Sequence, residues 1–211
     1  MIRGLIFDLD GTLVDSLPGI ATALNHALDD IKLPNHPQDV VETFIGDGLL
    51  NLVTRALSPD HSNQQNELLS AFQKHYSEDW KHGTSPYPGM TSLLEELHQS
   101  DMPMAVLSNK PHGYTVEIVE SLFPQNLFSQ VRGHQEGYPK KPDPTTAHQI
   151  ISDWNLKAEE IAYIGDSTVD LATARNGKMT PLIFSWGYGT PDDFPLLDSV
   201  DDLRNAILKP S

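Results

Sequence analysis

From Pro88 to the end of the chain, short apolar runs alternate with helical stretches, and no other feature narrows the possible folds as much. The spacing predicts a helix over 90–100, a strand over 103–108, a helix over 112–122 and a weak strand near 128–132. It continues with a helix over 144–154, a strand over 160–165, a helix over 168–175, a strand over 180–184 and a last helix over 200–208. Strands that alternate with helices in this way form a parallel sheet with crossover helices, so the expected class is α/β. Ligands of open parallel sheets bind at the carboxyl ends of the strands, where distant segments meet.

The chain opens with one more such strand. Leu5, Ile6 and Phe7 suit a buried parallel strand, and the chain then turns abruptly polar in Asp8-Leu9-Asp10-Gly11-Thr12. Side chains alternate along extended backbone, so Asp8 and Asp10 point along the same side. Two neighbouring acids repel unless a cation sits between them or one holds a proton, and either state serves phosphate chemistry. Gly11 permits a tight turn, and Thr12 offers a hydroxyl and an amide to an anion. A solvated acidic turn is the plain alternative.

Polar residues follow the other strands too. The run MAVLS ends in Ser108, Asn109 and Lys110; a Pro-rich loop presents Lys140 and Lys141; and IAYI leads into Gly165, Asp166 and Asp170. Taken singly, Ser108 also suits a helix N-cap, Lys110 and Lys140 a solvated surface, and Asp166 and Asp170 the start of a helix. Taken together, Asp8, Asp166, Asp170, Lys141 and Ser108 put three acids, a lysine and a hydroxyl at one topological place.

Between the first strand and the alternating region lies a block that reads as helices only. Leu17, Ile20, Leu24, Leu28 and Ile31 recur at helical spacing, as do Leu68, Leu69, Phe72, Tyr76 and Trp80, with shorter helices at Val40–Ile45 and Leu49–Leu57. The expected organisation is an α/β core from 1–15 and 84–211, with 16–83 as an inserted helical lid.

A net charge of -15 argues against a nucleic-acid backbone or an anionic membrane as partner. The absence of cysteine excludes thiolate zinc sites and cysteine nucleophiles. The nine histidines show no HExxH or other ligand spacing, and none is assigned to a metal. Without an apolar run of membrane length or a leader pattern, a cytoplasmic location is expected. Oligomeric state is left open.

The ordered set DLDGT from Asp8, Ser108-Asn109, KPDP from Lys141 and GDSTVD from Gly165 resembles the four-motif signature of the haloacid dehalogenase-like (HAD) hydrolases. The helical block resembles the C1 cap of that superfamily's small-molecule phosphatases. The resemblance implies a Rossmannoid core, with Asp8 as nucleophile and Asp10 as general acid and base. It also implies Mg²⁺ held by Asp8, the Asp10 main-chain carbonyl and Asp166, with Lys141 offsetting charge. Thr12, Ser108 and Asn109 would bind the substrate phosphate, and Asp170 would support the metal or Lys141.

Substrate choice falls to the lid, where Gly46-Asp47-Gly48 would be a mobile turn and Arg55 would meet a carboxylate. FIGDGLLNLVTRAL, SNKP and SWGYGT resemble the phosphoglycolate phosphatase branch, which implies a small phosphorylated metabolite, 2-phosphoglycolate first, as substrate. A sugar-phosphate or nucleotide phosphatase, a pyrophosphatase, a β-phosphoglucomutase-like mutase and a non-catalytic binding module stay open as alternatives.

Overall fold

The computed structural model describes residues 1–208. It opens with strand β1 (Gly4–Phe7), wholly buried, followed by the two-residue strand β2 (Val14–Asp15). Four helices come next: α1 (Leu17–Asp30), α2 (Gln38–Glu42), α3 (Leu49–Ala56) and, after a 3₁₀ turn at Pro59–Gln64, α4 (Gln65–Gly83). The chain returns through β3 (Ser85–Pro86) into α5 (Met90–Gln99), β4 (Met104–Pro111), α6 (His112–Leu122), β5 (Gln130–His134) and α7 (Thr145–Asp153). Then come β6 (Ile161–Gly165), α8 (Thr168–Asn176), β7 (Thr180–Phe184), β8 (Leu196–Leu197) and α9 (Val200–Leu208).

Six strands form one parallel sheet in the order β5-β4-β1-β6-β7-β8. Alternation of side chains divides its apolar residues between two faces. Leu5, Phe7, Val106 and Ile164 pack on one side with Leu93, Leu94 and Leu97 of α5 and Leu203 of α9. Ile6, Ala105, Leu107 and Tyr163 pack on the other with Ala147, Ile150 and Ile151 of α7. Helices on both faces are what a wholly buried β1 requires, since each face of its backbone must meet apolar cover.

The helical segment joins the sheet through a short stem. β2 and β3 pair antiparallel, with Val14 opposite Pro86 and Asp15 opposite Ser85, so the exit and return of the chain are clamped side by side. Within the segment, α1 buries Leu17, Ile20, Leu24 and Leu28, and α4 buries Leu68, Phe72, Tyr76 and Trp80, the apolar faces that the spacing predicts.

Several boundaries differ from the sequence reading. β4 runs on to Pro111, so Ser108 lies inside a strand and caps no helix; Pro111 occupies the N-cap position of α6 instead. β5 sits at Gln130–His134, later than expected, because its alignment follows pairing with β4 rather than local apolarity. The β2–β3 ladder and β8 are each two residues long, too short for any periodicity to announce. Among the described residues no helix is long and apolar enough to cross a membrane.

Candidate active site

β1 lies between β4 and β6 with Phe7 level with both Val106 and Ile164, so Asp8 and Asp166, which follow their strands, and Ser108, inside the longer β4, gather toward the carboxyl ends of the three strands. The loop after β5 delivers Lys141 to the same place. Its Nζ lies 2.7 Å from Asp170 Oδ1, a charge-assisted hydrogen bond, and 2.9 Å from Asp8 Oδ1. The second contact is an ion pair with poor hydrogen-bond angles, which leaves Asp8 Oδ1 a buried oxygen with no hydrogen-bond partner among the described residues. Burial opposes the charge of Lys141, but Asp170 and Asp8 more than offset it, and the ammonium group's pKa stands well above the ordinary lysine value.

Asp170 is fully buried and fully engaged. Its Oδ2 accepts from Ser167 Oγ at 2.5 Å and from the amides of Ser167 (3.2 Å) and Asp166 (3.3 Å), while Ser167 Oγ caps α8 through the Asp170 amide. This is a capping box in which the helix acid also holds the buried lysine. A Cβ at Gly165 would stand 2.3 Å from Asp170 Cβ, so only glycine fits there.

Asp166 is pinned from both sides. Thr12 Oγ1 donates to its Oδ1 and the Tyr188 amide to its Oδ2, both at 2.7 Å. This corrects the expected place of Thr12: its side chain is fully buried and orients Asp166, rather than facing a phosphate. A Cβ at Gly187 would fall 2.0 Å from Asp166 Oδ2, so the Gly187 backbone closes over the carboxylate. Burial first, then the charges of Asp170 and Asp8, push the Asp166 pKa well above the ordinary carboxylate range. Burial likewise raises Asp8 to about 7, against the pull of Lys141.

Asp8, Asp166 and Asp170 each bring a carboxylate oxygen within 4.8 Å of the others. Crowded, desolvated carboxylates with one unbonded oxygen fit a small hard cation such as Mg²⁺, which takes oxygen donors.

The Asp10 carboxylate turns away from this group. Its Oδ1 accepts from Ser16 Oγ at 2.5 Å, and Lys110 Nζ reaches Oδ1 at 2.9 Å and Oδ2 at 3.1 Å. Lys110 is itself buried, with its ammonium 4.8 Å from the ring centroid of Tyr76 on α4. It is the residue that sequence reasoning missed: a lysine at a strand end reads as surface unless its partners, Asp10 and Tyr76, are known.

A cavity of about 250 Å³ opens between this strand edge and the helical segment. Asp8, Asp10, Ser108, Lys110 and Asp166 line it from below, and Gly46, Arg55, Phe72 and Tyr76 from above. The Tyr76 hydroxyl is buried without a hydrogen-bond partner among the described residues. Arg55 lines the cavity but its guanidinium is paired with Asp47 and donates to the Phe44 carbonyl at 3.2 Å. The Asn109 side chain, expected on the substrate, is taken up elsewhere. Its Nδ2 donates to the carbonyls of Gly46 (3.0 Å) and Lys141 (3.2 Å), and its Oδ1 accepts from the Lys141 amide (2.9 Å). Lys140, expected at the surface, is partly buried over the same turn, its Nζ 3.5 Å from the Asp47 carbonyl.

A family model described as haloacid dehalogenase-like hydrolase matches residues 5–183 of this chain. A phosphoglycolate phosphatase of Pectobacterium atrosepticum is 33% identical over 214 residues, covering 98% of this chain and 91% of the relative. Another, from Mannheimia succiniciproducens, is 32% identical over 206 residues, covering 93% and 90%. Among solved structures, one from Lactobacillus delbrueckii subsp. bulgaricus, provisionally designated a phosphoglycolate phosphatase, superposes with a TM-score of 0.91 at 27% identity and covers 99% of both chains.

Proposed function

The chain belongs to the haloacid dehalogenase-like hydrolases, and from that membership we propose that it is a phosphatase cleaving a small phosphoric monoester, 2-phosphoglycolate before others. The observation that carries the reading is the convergence of Asp8, Lys141, Asp166 and Asp170 beneath a cavity whose roof comes from the helical segment. Residues 1–15 and 84–211 act as the catalytic core and 16–83 as the cap.

Asp8 is the nucleophile: its carboxylate bonds to phosphorus as the bond from phosphorus to the departing alkoxide breaks. Asp10 gives that alkoxide a proton, then takes one from the water that attacks the aspartyl-phosphate, releasing phosphate and freeing Asp8. Ser16 and Lys110 hold the Asp10 carboxylate in place through both steps. Lys141, fixed by Asp170, offsets the charge that gathers on the phosphoryl oxygens. Asp8, Asp166 and the Asp10 main-chain carbonyl would hold Mg²⁺, which when bound supplies charge neutralisation at the phosphoryl group. Ser108, which lines the cavity, donates to a phosphate oxygen.

The carboxylate of the substrate is met by the cations of the cavity, Lys110 and Arg55, beside the unpaired Tyr76 hydroxyl. The test is phosphate release from a panel of phosphomonoesters with Mg²⁺, wild type against Asp8→Asn. Equal rates for the two proteins remove the enzymatic reading. A panel won by a sugar phosphate or a nucleotide replaces the substrate, and phosphoryl movement without release makes the chain a mutase.

A further inference from the structure

We propose that His26, His75 and Asp79 form a second metal site, on the helical segment and apart from the strand-end carboxylates, for a divalent transition ion of the Zn²⁺ class. α1 and α4 lie side by side, and each carries a histidine and an aspartate one turn apart: His26 with Asp30, and His75 with Asp79. The pairs cross between the helices. His26 Nδ1 lies 2.8 Å from Asp79 Oδ2, and His75 Nε2 lies 2.9 Å from Asp30 Oδ2. The two imidazole centroids are 5.4 Å apart.

One donor atom from each of His26, His75 and Asp79 falls within 4.8 Å of the other two. Ligands about 2.0–2.1 Å from one tetrahedral Zn²⁺ stand about 3.3 Å from each other, so side-chain adjustment of an ångström or so closes the set. The fourth member of the cluster serves differently. Asp30 accepts from His75 Nε2, and a carboxylate on one imidazole nitrogen is the usual way to fix the tautomer and aim the other nitrogen at an ion.

The His26 side chain is 50% exposed against 20% for Asp79 and 23% for His75, so an ion enters from solvent on the His26 side and water completes its shell. Two imidazoles and one carboxylate select Zn²⁺, Ni²⁺ or Cu²⁺ over Mg²⁺, whereas the strand-end group offers oxygen alone. The two sites therefore sort cations by donor chemistry. Occupancy would tie α1 to α4 next to Tyr76, which lines the cavity.

The experiment is Zn²⁺ titration calorimetry in excess Mg²⁺, with thermal melts alongside, on wild type, His26→Ala/His75→Ala, His75→Gln, Asp30→Asn and Asp166→Asn. Expected are one Zn²⁺ per wild-type chain and a raised melting temperature. Both are lost in the histidine variants, which fold with the wild-type melting temperature when metal-free, and both persist in Asp166→Asn. Asp30→Asn binds about 10-fold more weakly or worse. Co²⁺ in place of Zn²⁺ gives ligand-field bands that vanish with the histidines. Zn²⁺ binding that survives His26→Ala/His75→Ala, or that disappears in Asp166→Asn, overturns the proposal.

Discussion

Lys110 Nζ holds both carboxylate oxygens of Asp10, at 2.9 and 3.1 Å, in a pair that is almost closed to water. Burial opposes the lysine's charge, but Asp10 and Tyr76 more than offset it, so its pKa is raised and it stays cationic at any working pH. A cation so placed serves two neighbours: the acid beneath it and any anion entering the cavity. Lys110→Met keeps most of the stem and removes the charge. For 2-phosphoglycolate kcat/KM should fall by roughly 10- to 100-fold, the worth of a charged hydrogen bond, with a smaller loss for a phosphomonoester that has no carboxylate. Equal losses on the two substrates would leave Lys110 as a holder of Asp10 only.

Arg55 faces the same cavity, but Asp47 holds it. If a substrate carboxylate competes with Asp47 for the guanidinium, the two residues have opposite effects. Arg55→Glu should raise KM for carboxylated substrates well above its effect on neutral ones, and Asp47→Asn should lower that KM several-fold by releasing the arginine. Steady-state kinetics on one substrate of each kind decide it. An unchanged preference in both variants makes the pair a surface ion pair, worth about 0–1 kcal/mol.

The contrast between these cations shows what a one-dimensional reading reaches. Asp8 and Asp166 were legible because each follows an apolar run, and the class of sheet brings such ends together, whereas Lys141 on its Pro-rich loop and Asp170 inside α8 were marked by the KPDP and GDSTVD motifs. Lys110 stands at a strand end as well, yet its burial is made by Asp10 from another loop and Tyr76 from α4, contacts that no local pattern encodes. Thr12 shows the same limit at the scale of one bond: a hydroxyl after Asp-x-Asp-Gly was visible, but not that it turns inward to Asp166. The crossed pairs of His26 and His75 depend on how α1 and α4 face each other, which helical periodicity alone leaves open.

Asn109 ties the turn at Gly46 to the main chain at Lys141 by three hydrogen bonds in a nearly dry environment. Asn109→Ala leaves the Lys141 amide and two carbonyls without these partners, so unfolding free energy should drop by roughly 2–4 kcal/mol in a urea titration. Because the lysine loses its backbone anchor, kcat should fall by more than KM rises. Asn109→Asp keeps the acceptor for the Lys141 amide but turns a buried carboxylate oxygen toward two carbonyls, and should be at least as destabilised as Asn109→Ala. A stable Asn109→Ala protein with wild-type turnover would show that Lys141 is positioned by Asp8 and Asp170 alone.

Asp166 sits where function and stability pull apart. Its carboxylate is desolvated beside two other acids, and that burial, with the charges of Asp170 and Asp8, raises its pKa and disfavours the charged form. Asparagine fits the same hydrogen bonds: its carbonyl can accept from the Tyr188 amide, and its NH₂ can donate to Thr12 Oγ1, which is able to turn from donor to acceptor. In buffer freed of divalent ions, Asp166→Asn should therefore melt a few degrees higher than wild type, corresponding to about 1 kcal/mol. Adding Mg²⁺ should reverse the order, because wild type gains a ligand that binds only the folded state and the variant does not. Phosphate release by the variant should fall at least ~100-fold. A variant that still melts higher on adding Mg²⁺, or that turns over normally, would place the cation away from Asp166 and leave the buried carboxylates to be explained by Lys141 alone.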